Sequence, residues 1–266
     1  QVDILYILGA GHCGSTLLNL CLDRHSAVVG VSEIITLNRK SPGWSGDKYV
    51  LDEKYWSEVD KVMQEKHNKS LTEVPFNLKA SLPFYSLAVQ SNKEALEAIL
   101  EISKKSIISD ASKNSKRLEA LLQSKSFKVR VIYLVRDGRA IVHAYLRKYK
   151  SCWPGLYNLI STDRAARRLM AKYGSENWLT IRYEDMATDL EGTLRNICSF
   201  SKINYESLML HPDTSNFNGL GGNRLIKRPI DKIILDNVWQ TEMPRIARSF
   251  TSIIVSKFNR RHGYKN

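Results

Sequence analysis

The sequence predicts a three-layer α/β/α fold, in which helices cover both faces of a largely parallel central sheet. Short apolar segments with strand character alternate along the chain with longer helical segments, which is the order that builds parallel sheets. The apolar composition of these segments suits strands buried on both faces. At 266 residues the chain can bury a substantial core, so we expect one domain spanning residues 1–266.

Five strands are predicted from the apolar runs. The first runs directly into a glycine-rich loop, and the fourth ends in charged residues and turns through Gly138 into a helix. In chain order the predicted strands are Val2–Leu8, Ala27–Val29, Ser106–Ser109, Lys128–Val135 and Trp178–Arg182.

Eight helices are predicted between and after these strands. Leucines following Thr16 favour the first, and Asp137 is a suitable cap for the fifth. The last should break near Met243–Pro244, because proline disfavours helical geometry at the residue before it. The predicted helices are Thr16–Arg24, Asp52–Lys66, Asn92–Lys104, Ser115–Gln123, Arg139–Tyr149, Thr162–Tyr173, Asp189–Phe200 and Asp236–Phe258.

Residues 38–83 interrupt this alternation and are predicted to form a variable insertion. They contain prolines, lysines and tryptophans, and a long excursion of this kind is commonly a lid or a substrate-binding subdomain. Its aromatic side chains either line a small-molecule pocket or pack as the core of the insertion, and the sequence leaves both open. These side chains are Trp44, Tyr49, Tyr55 and Trp56.

The formal net charge of +13 indicates an anionic partner. The anionic partner could be a nucleotide, a sulfated or phosphorylated substrate, a nucleic acid or a membrane surface. The net charge alone does not distinguish among these partners. No apolar run reaches the roughly 18 residues that a membrane span needs, and no signal-peptide pattern is present.

The four cysteines show neither CxxC spacing nor a neighbouring histidine set of the zinc type. We expect free thiols in a reducing compartment, with two disulfides as the alternative. A cytoplasmic location follows, unless an upstream leader or membrane anchor has been removed. The cysteines are Cys13, Cys21, Cys152 and Cys198.

The segment from Gly9 to Thr16 has the shape of a phosphate-binding loop, placed directly after the first strand. An ordinary ATPase would carry lysine where this chain has Ser15. The glycines, the hydroxyls of Ser15 and Thr16 and the amides at the start of the next helix still form an anion cradle. The loop therefore predicts binding of a phosphate-like group without ordinary ATPase chemistry.

Two charged residues follow other strands. Glu33 comes after the second strand, where it suits a general base, a cap for the following segment or a partner for a lysine. Arg136 ends the fourth strand and is suited to bidentate contact with a phosphate.

The third strand ends at Asp110, followed closely by Lys113. Asp110 would hold magnesium if this were a Walker B strand, whereas Lys113 either adds positive charge to the site or is merely exposed. His12 lies inside the loop, where it can donate a hydrogen bond to a transferred oxygen and become cationic as a leaving group gains charge.

These segments together resemble the sulfotransferases that use 3′-phosphoadenylyl sulfate, especially the bacterial-type and tyrosylprotein-sulfotransferase-like branch. The loop is similar to that family's first motif, the segment Val135–Ala140 to its second, and Glu33 falls at the place of its catalytic glutamate. The segments Arg182–Asp185 and Gly221–Arg224 also resemble later family segments.

The resemblance implies a P-loop NTPase-like sulfotransferase fold, 3′-phosphoadenylyl sulfate as donor, 3′-phosphoadenosine 5′-phosphate as product, and no metal. It implies that Glu33 takes the acceptor proton, while His12 and Lys113 stabilise charge on the leaving oxygen. The acceptor is expected to be a small molecule with a hydroxyl or amine, and neither a nucleic acid partner nor a membrane span is expected. The implied donor-binding residues are Gly11, His12, Cys13, Gly14, Ser15, Thr16, Arg136, Asn223 and Arg224.

The chain departs from the family pattern at two positions. His12 stands where most members carry lysine or arginine, and Ala144 stands where a serine would contact the 3′-phosphate. Lys148, Arg224 and Arg228 are candidates to replace that contact.

Two alternatives remain at the level of sequence. One is a degenerate P-loop kinase that uses Asp110 as a metal ligand. The other is a non-catalytic module that binds polyanions through its basic surface.

Overall fold

The structure is a computed structural model that describes residues 1–37, 53–215, 217–220, 230 and 233–265. Several residues singled out in the sequence lie outside the described residues. They are Trp44, Tyr49, Asn223, Arg224 and Arg228.

The centre of the fold is a five-stranded sheet in the order β2-β3-β1-β4-β5. Strand β3 pairs in parallel with both β1 and β2, so that Ile107 lies opposite Asp3 on one side and Val28 on the other. The predicted α/β class with a central parallel sheet is confirmed. The strands are β1 Val2–Leu8, β2 Val28–Ser32, β3 Ile107–Asp110, β4 Phe127–Val135 and β5 Trp178–Arg182.

The helices follow the predicted order, with differences at their ends. Two begin seven or more residues earlier than predicted, at Tyr85 and at Trp153, and the last helical segment breaks at Met243–Pro244 as predicted. A short helix directly after β5 was not predicted. The helices of the described residues are α1 Ser15–Asp23, α2 Lys54–His67, α3 Tyr85–Ser103, α4 Ser115–Gln123, α5 Gly138–Tyr149, α6 Trp153–Tyr173, α7 Tyr183–Thr188, α8 Leu190–Ser201, α9 Trp239–Glu242 and α10 Arg245–Arg261.

Backbone contacts divide the chain into two compact units. The first comprises Gln1–Ile7, Thr16–Val131 and Glu206–Ile230. The second comprises Leu8–Ser15, Ile132–Tyr205 and Asp231–Asn266.

In the first unit, a buried polar network fixes the end of β2 against its neighbours. The amide of Asn19 donates to the carbonyl and hydroxyl of Ser109, at 3.0 and 2.7 Å, and its oxygen accepts from the Ser32 backbone at 3.2 Å. Because Asn19 is fully buried, loss of these bonds would leave polar atoms unsatisfied in the core. The residue preceding Glu33 is therefore held firmly.

The described part of the predicted insertion is anchored within the same unit. Trp56 is fully buried and its indole N–H donates to the carbonyl of Asn218 at 2.9 Å. Of the two interpretations of the aromatic side chains, packing in the core is the one that holds for Trp56. Arg117, also fully buried, donates from Nη1 to the carbonyl of Phe76 at 2.8 Å, which ties the end of the insertion to α4.

The four cysteines all lie within the described residues, and none of them is in a disulfide, in agreement with the expected thiols. Burial raises the pKa of the Cys21 thiol to about 12, which leaves it protonated and unreactive at neutral pH. Among the described helices, none combines the length and the apolar character needed to cross a bilayer.

Candidate functional site

Unusual backbone geometry marks the loops that carry the predicted site. Seven described residues other than glycine have a positive φ, and four of these end helices, where left-handed geometry is common. The other three are His12, Ser32 and Lys113, with φ of 65°, 53° and 55°. Such conformations cost energy for side-chain-bearing residues, and they concentrate at functional sites.

In the second unit, the loop after β1 is closely covered by two tyrosines. A Cβ added at Gly11 would collide with the hydroxyl of Tyr145, and one added at Gly14 would lie 2.6 Å from Cδ2 of Tyr183. Gly14 also has a φ of 97°, which favours glycine. Gly14 therefore requires glycine, whereas a side chain at position 11 would have to displace the hydroxyl end of Tyr145.

His12 is held on both its main chain and its ring. Its carbonyl accepts a hydrogen bond from Nη1 of Arg136 at 2.9 Å. Its ring packs edge-on against Tyr145, with ring centroids 5.0 Å apart. His12 and Arg136, which the sequence assigned to one site in separate roles, are therefore in direct contact.

The backbone amide of Gly11 is not an open anion donor in this structure. It donates to Oδ1 of Asn158 at 2.7 Å. Nothing in the sequence indicated Asn158, which lies on the unpredicted first half of α6. The amide of Cys13 donates to the carbonyl of Ala10 at 3.3 Å. The amides of Gly14, Ser15 and Thr16 lie around the N-terminus of α1, where the first N–H groups have no acceptor within the helix.

Arg136 is the central charged residue of the side chains that surround the glycine loop, which we call the loop group. It is only 6% exposed. Its guanidinium stacks on the ring of Tyr183 at 4.4 Å, and Nη2 donates to the backbone carbonyl of Asp236 at 2.9 Å. Within the described residues, its buried Nε has no hydrogen-bond partner. A buried arginine with an unsatisfied N–H is suited to an additional anionic acceptor.

The guanidinium of Arg136 already forms an ion pair with a carboxylate. Oδ2 of Asp236 lies 2.9 Å from Nη2 of Arg136. Partial burial acts to raise the pKa of Asp236, but the hydrogen bond and the charge of Arg136 outweigh it and lower the pKa. Asp236 is therefore an ionised anion bound to the arginine that the sequence assigns to a phosphate.

In the first unit, Glu33 and Lys113 form a direct ion pair. Nζ of Lys113 donates to Oε1 of Glu33 at 2.5 Å and to the carbonyl of Ala111 at 3.2 Å. Glu33 also occupies the N-cap position of the short 3-10 helix Ile34–Thr36, but its side chain makes no capping bond. Of the three roles considered for Glu33, pairing with a lysine is present, and the carboxylate is not used as a cap.

The backbone of Glu33 is tied to the segment that leads into residues 221–224. Its N–H donates to the carbonyl of Leu220 at 2.7 Å, and the N–H of Leu220 donates to the carbonyl of Val31 at 3.1 Å. Leu220 thereby pairs with Ser32, at the end of β2, in a single parallel bridge. The segment Gly221–Arg224, which resembles a later family segment, thus follows directly after a residue that is hydrogen-bonded to Glu33.

Asp110 is engaged in a way that does not suit a metal ligand. One oxygen accepts from Nε of Arg117 and the other from the backbone of Ser112, both at 2.9 Å. Asp110 and Arg117 are both fully buried, and such a pair is a structural element. The geometry therefore does not favour the kinase alternative.

The structure brings the predicted residues together in two groups, one in each unit. His12 contacts Arg136, and Glu33 contacts Lys113. Several contact residues were missed by sequence reasoning. Tyr183 and Tyr145 lay in or beside segments already singled out, whereas Asn158 and Asp236 carry no local motif. The missed residues are Tyr145, Asn158, Tyr183, Leu220 and Asp236.

Solved structures with the same fold are sulfotransferase domains. The sulfotransferase domain of the Synechococcus PCC 7002 olefin synthase matches with a TM-score of 0.64 and 20% identity, over 99% of this chain and 95% of that one. The sulfotransferase domain of the curacin biosynthetic pathway gives 0.62 and 19%, over 100% and 99%. Sulfotransferase STF9 of Mycobacterium avium gives 0.58 and 13%, over 99% and 78%. At these identities the likeness shows the fold.

A search of curated proteins found no match. A family profile, in contrast, covers most of the chain, since the profile of the Sulfotransferase family matches residues 5–207. That range includes the glycine loop, Glu33, Lys113 and Arg136. The chain therefore belongs to the Sulfotransferase family.

Proposed function

We propose that this sulfotransferase uses 3′-phosphoadenylyl sulfate as donor and sulfates a hydroxyl or an amine, with Glu33 as general base. The observation that carries the proposal is Arg136, a buried arginine beside the glycine loop whose Nε is unsatisfied within the described residues. When bound, the donor supplies a sulfuryl group to the acceptor atom, and its nucleotide is the leaving group. The other proposed roles belong to residues of this chain.

The residues of the loop group fit a nucleotide phosphate. The loop runs into the N-terminus of α1, where backbone N–H groups favour an anion, and Ser15 and Thr16 add hydroxyls there. We assign the 5′-phosphate to the loop from Gly11 to Thr16, including Cys13. Arg136 is assigned to the 3′-phosphate, aided by Asn223 and Arg224, which lie outside the described residues.

Glu33 would accept the proton that the acceptor hydroxyl or amine loses as its new bond to sulfur forms. A carboxylate can do this within hydrogen-bond reach. Lys113 now holds one oxygen of that carboxylate, so it orients the base before reaction. As charge builds on the leaving oxygen, Lys113 and His12 are the cations assigned to stabilise it.

We assign the acceptor to the part of the molecule that includes the insertion, residues 38–83. The buried Trp56 anchors this segment rather than contacting a ligand. We propose that the acceptor is a small molecule and that residues 38–83 form a lid over it.

The proposal is tested by following transfer of radiolabelled sulfate from the donor to a panel of hydroxyl and amine acceptors. We expect Glu33→Gln to lower turnover by about 10²-fold to 10⁴-fold, the usual contribution of a general base. Binding of 3′-phosphoadenosine 5′-phosphate should be unchanged, since Glu33 is not assigned to the nucleotide. Glu58→Gln, at an exposed position of α2, is the matched control and should keep full activity.

Full turnover by Glu33→Gln on a true acceptor would remove Glu33 from the role of base. Magnesium-dependent ATP binding, without binding of 3′-phosphoadenosine 5′-phosphate, would instead support the kinase alternative.

A further inference from the structure

The second unit carries a concentrated group of exposed apolar side chains on two packed helices. Trp153 is 67% exposed and Tyr157 77%, while Ile246 and Ile253 are 87% and 75% exposed. Isolated exposed apolar residues are ordinary, but a contiguous group marks a binding surface. We call this group the α6–α10 patch. Its members are Trp153, Tyr157 and Ile160 of α6 and Ile246, Phe250 and Ile253 of α10.

Helical spacing and a ring contact make the patch continuous. On α6 the three side chains are spaced by four and three residues, and on α10 the spacing is the same, so each set lies on one helical face. The two sets meet where Trp153 packs edge-on against Phe250, with ring centroids 5.7 Å apart. The patch is therefore one surface built from two helices.

Both helices continue the same exposed face with basic residues. On α6 the face runs on to Arg164 and Arg168, and on α10 to Lys257 and Arg260, all exposed. Helix α10 contains no acidic residue, and the single acidic residue of α6, Asp163, is buried. The patch thus lies beside exposed basic residues on both helices, and neither helix exposes an acidic residue of its own.

We propose that the α6–α10 patch is a peripheral docking surface for a membrane that carries anionic lipid headgroups. Aromatic and branched apolar side chains partition into the boundary between headgroups and acyl chains, and flanking arginines and lysines are attracted to anionic lipid. A soluble polyanion would use the basic residues but would leave the apolar ones uncovered. The combination of both favours a lipid surface, and none of the six patch residues belongs to the proposed donor or base machinery.

The test is co-sedimentation of the protein with vesicles of phosphatidylcholine alone, and of phosphatidylcholine mixed with phosphatidylserine. We expect binding to the mixed vesicles and little to the neutral ones. The combined variant Trp153→Ser, Phe250→Ser, Ile253→Ser should reduce that binding by at least about tenfold, because the inserted apolar surface is removed. The variant Lys257→Glu, Arg260→Glu should reduce it as well, and both effects should be absent at neutral vesicles.

The matched control is Phe84→Ser, Leu87→Ser, which removes two exposed apolar side chains of α3 in the first unit, 73% and 68% exposed. It should bind mixed vesicles as the wild type does. Circular dichroism and thermal melting establish that each variant is folded.

Three results would overturn the proposal. One is the absence of binding to mixed vesicles. Another is binding that the charge variant abolishes and the apolar variant leaves intact, which would describe a general polyanion surface. A third is concentration-dependent dimerisation that the apolar variant abolishes without vesicle binding, which would make the patch an interface between two copies of this chain.

Discussion

At the scale of single residues, the candidate site depends on backbone conformations that bring side chains into unusual positions. Ser32 leaves strand β2 with a positive φ, and the next residue, Glu33, meets Lys113, which is itself left-handed. His12 is left-handed within the glycine loop, and its carbonyl is held by Arg136. The identities of these residues were readable from the sequence, but their conformations depend on contacts with distant segments.

His12 is a titratable side chain at a position where the family resemblance implies a permanent charge, and this makes a prediction. If the cationic ring stabilises the leaving oxygen, activity measured between about pH 6 and about pH 9 should fall as the ring loses its proton. His12→Lys should flatten this fall. The ring faces Tyr145, and Arg136 binds the carbonyl of His12, so these are the neighbouring groups to consider.

The measurement is the pH profile of sulfate transfer for the wild type, His12→Lys and His12→Asn. Asparagine tolerates the left-handed backbone, so His12→Asn separates loss of charge from loss of conformation. A flat wild-type profile across this range would exclude a role for the charge.

Asp236 is predicted to compete with the donor for Arg136. Its carboxylate binds Nη2 and is 45% exposed, so it can be displaced at small cost. Asp236→Asn should therefore tighten binding of 3′-phosphoadenosine 5′-phosphate by about twofold to fivefold, the range of a partly exposed ion pair. Titration calorimetry gives the affinity, with Asp213→Asn, which loses an ion pair to Arg24, as control. Weaker binding by Asp236→Asn would mean that Asp236 orients the arginine instead.

At the scale of elements, the strands were the easiest to predict and the helix starts the hardest. Each of the five strands is closed by charge, glycine or a turn, and the first four are apolar runs that are buried along almost their whole length. Strand β5 is only partly buried. Helix α6 begins at Trp153, nine residues before the predicted start, because its first half carries exposed aromatic residues that obscure the periodic pattern.

The position of a residue relative to the strands also determined whether the sequence identified it as a site residue. Glu33, Lys113 and Arg136 follow strands, where fold logic assigns function to strand ends. Asn158 and Asp236 reach the loop group from a helix and from a loop distant in sequence, and no local pattern marks them. Their contacts come from tertiary packing, which spacing along one chain does not reveal.

Asp163 joins three elements and makes a prediction about stability. Its carboxylate accepts from Nη1 of Arg261 at 2.7 Å, from Nε of Arg167 at 3.1 Å and from the hydroxyl of Tyr133 at 3.3 Å. Burial acts to raise its pKa, but hydrogen bonds from His262, Arg261 and Arg167 outweigh burial and lower the pKa from 3.8 to about 2. A carboxyl with a lowered pKa stabilises the fold above its unfolded-state pKa and loses that contribution on acidification.

We therefore expect Asp163 to contribute about 2 kcal/mol to the free energy of unfolding at neutral pH. The difference between the wild type and Asp163→Asn should shrink between about pH 4 and about pH 2. Denaturant unfolding at several pH values measures it, with the exposed Asp185→Asn as control. An equal difference at all pH values would show that the ionised form is not the stabilising one.

At the scale of the whole molecule, family and fold agree although sequence identity to solved relatives is low. The family profile covers residues 5–207, and structural similarity extends over nearly the whole chain. The net charge of +13 predicted an anionic partner, and an anionic donor is consistent with that prediction. The features on which the proposals for this chain depend are local, namely a histidine in the glycine loop, the buried Arg136 and the exposed patch on α6 and α10.

The most direct test of the proposed donor is calorimetric titration with 3′-phosphoadenosine 5′-phosphate, compared with ATP in the presence of magnesium. We predict saturable binding of 3′-phosphoadenosine 5′-phosphate at one site and much weaker binding of ATP. Arg136→Lys should weaken nucleotide binding by about tenfold to a hundredfold, because lysine does not supply the two parallel N–H groups of arginine. No heat with 3′-phosphoadenosine 5′-phosphate, or preferential binding of ATP with magnesium, would contradict the account.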